Sequence, residues 1–218
     1  SINTSGTGGT LDKSGGNVVL GTVGDTAPLK SLTVDTRQAG TGTASDGTLT
    51  LNGNVSVDGG GNVDFSNAAG GVTLKAGVTI DTDAAGGTSS AGSILFGSRA
   101  VDSDTTARAL TLDASADAGG AASGGDVTLG QVGNTNRLAS LTVKTNTAGG
   151  GTAGKLTLNG ANLKTDSGNV DLSNVAQVVL AADVTIDTDS SAVSGAPGSV
   201  TFKNTSTTNC AFALSIDT

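Results

Sequence analysis

The chain is written twice. SGGNVVLG at 14–21 returns as SGGDVTLG at 123–130, and LKSLTVDT at 29–36 returns as LASLTVKT at 138–145. LTLNG at 49–53 returns at 156–160, and GNVDF at 61–65 returns as GNVDL at 168–172. VTIDTD at 78–83 recurs unchanged at 184–189. The spacing between copies shortens along the chain only in Gly-, Ala-, Ser- and Thr-rich stretches such as 37–46 and 103–107. Length changes of that kind are tolerated in surface loops. A long tandem repeat restricts a chain to architectures in which like units stack on one another. The units run 1–110 and 111–218. SIDT at 215–218 resembles SINT at 1–4 and TLDA at 111–114, so the sequence reads as two units and the opening of a third. The expectation is a section of an open-ended series, built in one giant chain or by head-to-tail assembly.

Within a unit the apolar residues fall in short alternating bursts: VTL, LTV, VSV, VDF, VTI. Period-two alternation with Thr facing outward marks half-buried strands, and no stripe of helical period is long enough to compete. Nine such triplets fall in the first unit, near 1–3, 18–20, 32–34, 49–51, 55–57, 63–65, 72–74, 78–80 and 94–96. The last six divide into two runs of strand, short corner, strand, then a third strand. That rhythm predicts an all-β fold, a three-sided parallel β-helix (β-solenoid) with three turns per unit and about six turns in all. Its right-handedness follows from the general rule for parallel connections. At about 4.8 Å between stacked strands, six turns rise roughly 29 Å. The predicted core is the inward pairs, among them Val18/Leu20, Val63/Phe65, Ile94/Phe96, Val127/Leu129, Val170/Leu172 and Val200/Phe202. Gly and Asn at the corners supply the positive φ that tight bends demand.

Composition removes most chemistries. The chain has no His and one Cys, which leaves no His/Cys zinc set, no Ser-His-Asp triad and no internal disulfide. Lys plus Arg number 11 against 19 acids, so an electrostatic footprint for nucleic acid is missing. Four Phe and no Trp or Tyr leave little for aromatic stacking. Apolar runs are too short for a membrane span.

Candidate sites are few. The doublets Asp81/Asp83 and Asp187/Asp189, with Asp102/Asp104 beside them, offer hard oxygen ligands for which calcium is the candidate ion. The competing reading is a solvated corner in which Asp accepts hydrogen bonds from loop amides. A polysaccharide-lyase reading asks for a basic residue near such acids. Arg37, Arg99, Arg108 and Arg137 fall in loops, and spacing sets none of them beside a doublet. Outward Thr50, Thr73, Thr111 and Thr157 on one expected face suggest an ice-binding ladder, although Thr also favours exposed strand positions on its own account. Cys210 reads as a small buried apolar residue. No enzyme activity is expected.

The segments GDVTLGQVGNTNRLASLTVKT at 125–145 and GSVTF to LSIDT at 198–218 resemble the β-helical repeats of filamentous haemagglutinin-like and other giant repetitive bacterial surface proteins. The resemblance covers the whole chain and implies a structural or adhesive part outside the cell or on its surface. Both ends are ordinary repeat sequence without a recognisable cap. A solenoid end leaves strand edges unpaired, so the expected partner is the chain itself, stacked head to tail through Ser1, Ile2 and Asn3 at one end and Leu214 and Ile216 at the other. A host or neighbouring cell surface is the expected second partner. The alternative is a module binding a surface glycan or calcium.

Overall fold

The computed structural model describes residues 1–6, 13–39, 44–83, 89–117, 119–160, 162–189, 196–203 and 211–218. Cys210 lies outside the described residues. The strands, taken in chain order, wind upward turn by turn. The first turn holds β1 (Ile2–Asn3) and β2 (Val18–Leu20). The second holds β3 (Leu32–Asp35), β4 (Leu49–Leu51) and β5 (Val55–Ser56), and the third β6 (Val63–Asn67), β7 (Val72–Leu74) and β8 (Val78–Asp81). Then come β9 (Ile94–Leu95), β10 (Val101–Ser103) and β11 (Ala109–Asp113), followed by β12 (Val127–Leu129) and β13 (Ser140–Lys144). The upper turns are β14 (Lys155–Leu158), β15 (Asn162–Lys164) and β16 (Val170–Asn174), then β17 (Gln177–Leu180), β18 (Val184–Asp187) and β19 (Val200–Phe202). Last is β20 (Leu214–Asp217). Among the described residues there is no helix.

Three faces result. Face one stacks β1, β3, β6, β9, β12, β14 and β17, so six complete turns separate its first strand from its last. Face three stacks β5, β8, β11, β13, β16 and β19. Face two carries β2, β4, β7 and β10, then passes through single bridges Val101 to Val132 and Val132 to Leu163 into β15, β18 and β20. Every strand-to-strand pairing is parallel, as a coil that always winds one way requires. The fold is therefore the expected all-β parallel solenoid, with six turns between the first and last strands of face one.

The core follows from the alternation. Val34, Leu49, Leu51, Val63, Phe65, Ile94, Val127 and Leu141 are fully enclosed. Inward residues of one turn rest on those of the next: Leu49 on Val72, Leu112 on Val143, Leu156 on Val178. Phe65 and Phe96 stack edge to face at 5.7 Å between ring centroids. Burying a Val, Leu, Ile or Phe side chain contributes about 1.5–3 kcal/mol, and this core runs the length of the molecule without a break. Only Val200 and Phe202 among the expected inward pairs stay partly exposed; among the described residues no strand lies above β19.

The two units do not superpose face on face. β1 lies on face one, its counterpart β11 on face three, and β20, which opens the third unit, on face two. The same backward step of one face relates β3 to β13, β4 to β14, β6 to β16, β8 to β18 and β9 to β19. Eleven strand positions precede β11, at three to a turn, so one unit spans three and two-thirds turns rather than the expected three. The two positions that the alternation hides are the stretch Val23 to Leu29 and β10. The first touches the next turn only by the bridges Val23 to Val55 and Leu29 to Val57. β10 carries a single inward aliphatic, Val101, followed two residues later by buried Ser103.

Candidate functional site

Loops leave the coil at clasped corners. A buried Thr one residue past a strand donates its hydroxyl to the carbonyl of the Gly that opens the next strand segment. Thr36 Oγ1 reaches Gly47 O at 2.6 Å, Thr82 reaches Gly92 at 2.7 Å, Thr145 reaches Gly154 at 2.9 Å and Thr188 reaches Gly198 at 2.7 Å. The clasp satisfies a buried hydroxyl and pins the loop base, so the loop can change length without disturbing the ladder. Because the units step round by one face, the two clasped loops after Thr82 and Thr145 and the loop after Ala114 between them meet at the corner between faces three and one. They bond to one another through Ala91 N to Ser123 O and Gly124 N to Thr152 O. Ala91, Ala116 and Ala122 form a second small core beneath them.

Asp81 and Asp83 sit at this corner. Asp81 stands next to Asp113 on the ladder, and Asp113 stands next to Lys144, whose Nζ is 2.7 Å from Asp113 Oδ2. Asp83 is almost wholly enclosed; its Oδ2 accepts the Asp117 amide at 2.9 Å, while its Oδ1 has no hydrogen-bond partner. Burial first, and neighbouring carboxylates second, push both Asp81 and Asp83 above the ordinary carboxylate range. A raised native value means that protonation favours the folded chain, so these two groups gain stability as the pH falls.

Asp187 has the same sequence surroundings and the opposite electrostatics. It lies on face two, at the end of β18, where the Arg137 guanidinium clamps its carboxylate at 2.8 and 2.6 Å. Arg137 also donates to the carbonyls of Thr165 and Asp189, at 3.0 and 2.9 Å. The guanidinium holds the Asp187 carboxyl below its ordinary value. The Asp189 amide donates to Asp187 Oδ1 at 3.0 Å, as the Asp83 amide does to Asp81. The structure thus separates the two doublets onto different faces. Among the described residues no three acidic, His or Cys groups are arranged to hold a metal ion. The third doublet is also engaged: Asp104 pairs with Arg108 at 2.9 Å, and Asp102 accepts the Thr135 amide at 2.9 Å.

Sequence spacing missed the Arg137–Asp187 pair, and a basic residue does lie beside a doublet. Fifty residues separate the two groups along the chain, yet only Thr165 lies between them along the axis. Arg137→Met is expected to lower stability at pH 7 by about 1–3 kcal/mol, the scale of hydrogen bonds to charged groups. A depressed carboxyl contributes stability above its ordinary pKa of 3.8 and loses it as the pH falls through the native value. The gap in melting temperature between parent and variant should therefore narrow below about pH 4 in thermal melts.

Beside Arg137 lies a polar recess of about 250 Å³, lined by Asp104, Asn134, Asn136, Arg137, Lys164 and Asp166.

The outward Thr residues do not form one continuous plane. Thr50 and Thr73 are neighbours on face two, Thr111 is on face three and Thr157 on face one. The longest run, Thr79, Thr111 and Thr142, ends at Asp171. The one-face step between units is the reason: residues equivalent in sequence are carried to different sides.

The terminal strands named as an assembly surface are at the two ends. Ile2 is partly buried against Val34, whereas Leu214 and Ile216 remain 39% and 47% exposed. The chain matches no family model, no curated protein and no solved structure.

Proposed function

We propose that this chain is a structural subunit or repeat segment of an extracellular filament or adhesin stalk of a bacterium, stacking end to end through its strand ladders. The observation that supports it is the unbroken aliphatic core under three parallel ladders. Tension along such a coil is shared by rows of backbone hydrogen bonds parallel to the axis. A heterologous contact between unlike ends does not close, and so generates a fibre. Few charges and the absence of Met, Trp and Tyr suit a durable material with few oxidisable groups. Negative-stain imaging of the purified chain at low micromolar concentration tests the reading. Unbranched filaments are expected; monodisperse particles at every concentration would count against it.

The recess beside Arg137 favours a second reading, a side-binding module for a surface glycan or calcium. Its lining of amides and charged groups is the kind that hydrogen-bonds sugar hydroxyls. Titration with glycan arrays and with calcium, repeated on Asn136→Ala, separates it from the purely mechanical role.

A further inference from the structure

We propose that the corner between faces three and one holds a calcium ion between the carboxylates of Asp58 and Asp83. The first ground is a set of buried acceptors without donors. Among the described residues four buried side-chain atoms lack a hydrogen-bond partner: Gln38 Oε1, Asp58 Oδ1, Asp83 Oδ1 and Asn146 Oδ1. All four are oxygens, and the last three follow strands of face three, namely β5, β8 and β13. Asp83 is only 3% exposed, and its other oxygen is already held by the Asp117 amide at 2.9 Å. A buried carboxylate oxygen with no partner is costly, and a bound cation removes that cost.

The second ground is register. Ser56 pairs with Asp81, Asp81 with Asp113, and Asp113 with Lys144. Two residues farther along each of these segments stand Asp58, Asp83, Ser115 and Asn146, in successive turns. The bridge between Ala116 and Thr147 carries the alignment past the strand ends. Neighbouring strands lie about 4.8 Å apart, and calcium sits ~2.3–2.6 Å from each oxygen ligand. An ion between oxygens one strand apart therefore reaches both. Among the described residues no three acids converge on one point. The remaining ligands are neutral oxygens and water, a mixture that calcium accepts.

The third ground is a charge that the first unit lacks. In the second unit the identical VTIDTD segment is neutralised by Arg137, whose counterpart in the first unit is Pro28. Asp58, Asp113 and Asp117 all raise the cost of ionising Asp83, after burial itself. The cation facing this group is Lys144, which is committed to Asp113 at 2.7 Å. A divalent ion supplies what the guanidinium supplies in the other copy. The site is separate from the recess beside Arg137, which lies at the corner between faces two and three, and it does not depend on end-to-end stacking.

Thermal melts at pH 7 in chelator, in calcium chloride and in magnesium chloride test the site. With calcium at about ten times a dissociation constant on the order of 0.5 mM, the ratio of folded to unfolded chain rises about elevenfold. For a chain of this length that is a rise in melting temperature of about 3–5 °C. Asp83→Asn should melt in chelator no lower than the parent, because a buried charge is gone, and should lose the calcium response. Asp58→Asn should weaken the response at least tenfold in calcium concentration. Asn136→Ala, in the recess beside Arg137, should keep it. A parent melt that calcium leaves unchanged overturns the site, as does a response that survives Asp83→Asn. An equal rise with magnesium means general screening of the acids and overturns it too. A parent stabilised by acid yet indifferent to calcium has a proton, not an ion, at these carboxylates, which is equally a refutation.

Discussion

Val127→Asp is expected to prevent the coil from forming. Val127 is fully buried, and its ladder neighbours are Ile94 below and Leu156 above. A carboxylate there has apolar side chains in front of it and no donor or cation in reach. Isolated buried charge costs far more than the transfer energy of the lost methyl groups. A destabilisation on the order of 5 kcal/mol or more is anticipated, comparable with the whole stability of an ordinary domain. The next residue provides the control. Thr128 points outward on the same strand, and Asp already occupies such outward positions at Asp64, Asp102 and Asp171. Thr128→Asp should therefore stay within about 1 kcal/mol of the parent, as surface substitutions usually do. Circular dichroism melts of the two variants give the comparison directly, and similar behaviour of both would remove the assigned inward face of β12.

Gly61→Ala and Gly168→Ala should be nearly as damaging, and for the same reason in both units. A Cβ on Gly61 would lie 1.5 Å from the carbonyl oxygen of Lys30, and one on Gly168 would lie 1.5 Å from that of Ala139. Gly61 and Gly168 are counterparts in the repeat, as are Lys30 and Ala139. The obstructing atom is backbone of the turn below, so relief requires the two turns to part. A loss of about 3 kcal/mol or more is expected, in the range that marks strain at a special backbone position. Gly21→Ala is the contrasting case, since a Cβ there meets nothing within 4 Å. It should be within about 0.5 kcal/mol of the parent. Equal losses at Gly21 and Gly61 would mean that close approach of turns is not what holds those glycines.

The strands were legible because their pattern is local. Val18/Leu20, Leu49/Leu51 and Val78/Ile80 announce both an inward and an outward side within three residues, and all are buried as expected. The number of turns per unit was not legible. Val23 and Leu29 flank a Gly- and Pro-containing stretch and touch their neighbours only by single bridges, so no alternation marks them. Missing two positions in eleven conceals the rotation between units, and with it the dispersal of Thr50, Thr111 and Thr157 over three faces. At the acidic corners the sequence identifies the carboxylates but not their partners. VTIDTD is identical in both units, yet Asp187 meets Arg137 whereas Asp81 meets Asp113. Those neighbours come from other turns and on different faces, and nothing in the six residues themselves specifies them.

The central claim is that the ladders run along the axis of an assembly made by end-to-end stacking. Cryo-electron micrographs of the filaments test it through the axial layer lines of their Fourier transform. Stacked turns should give a strong reflection on the meridian at about 4.8 Å, the separation of neighbouring strands. Filaments that place that spacing across the axis, or that show only a bead-like repeat of separate particles, would contradict it.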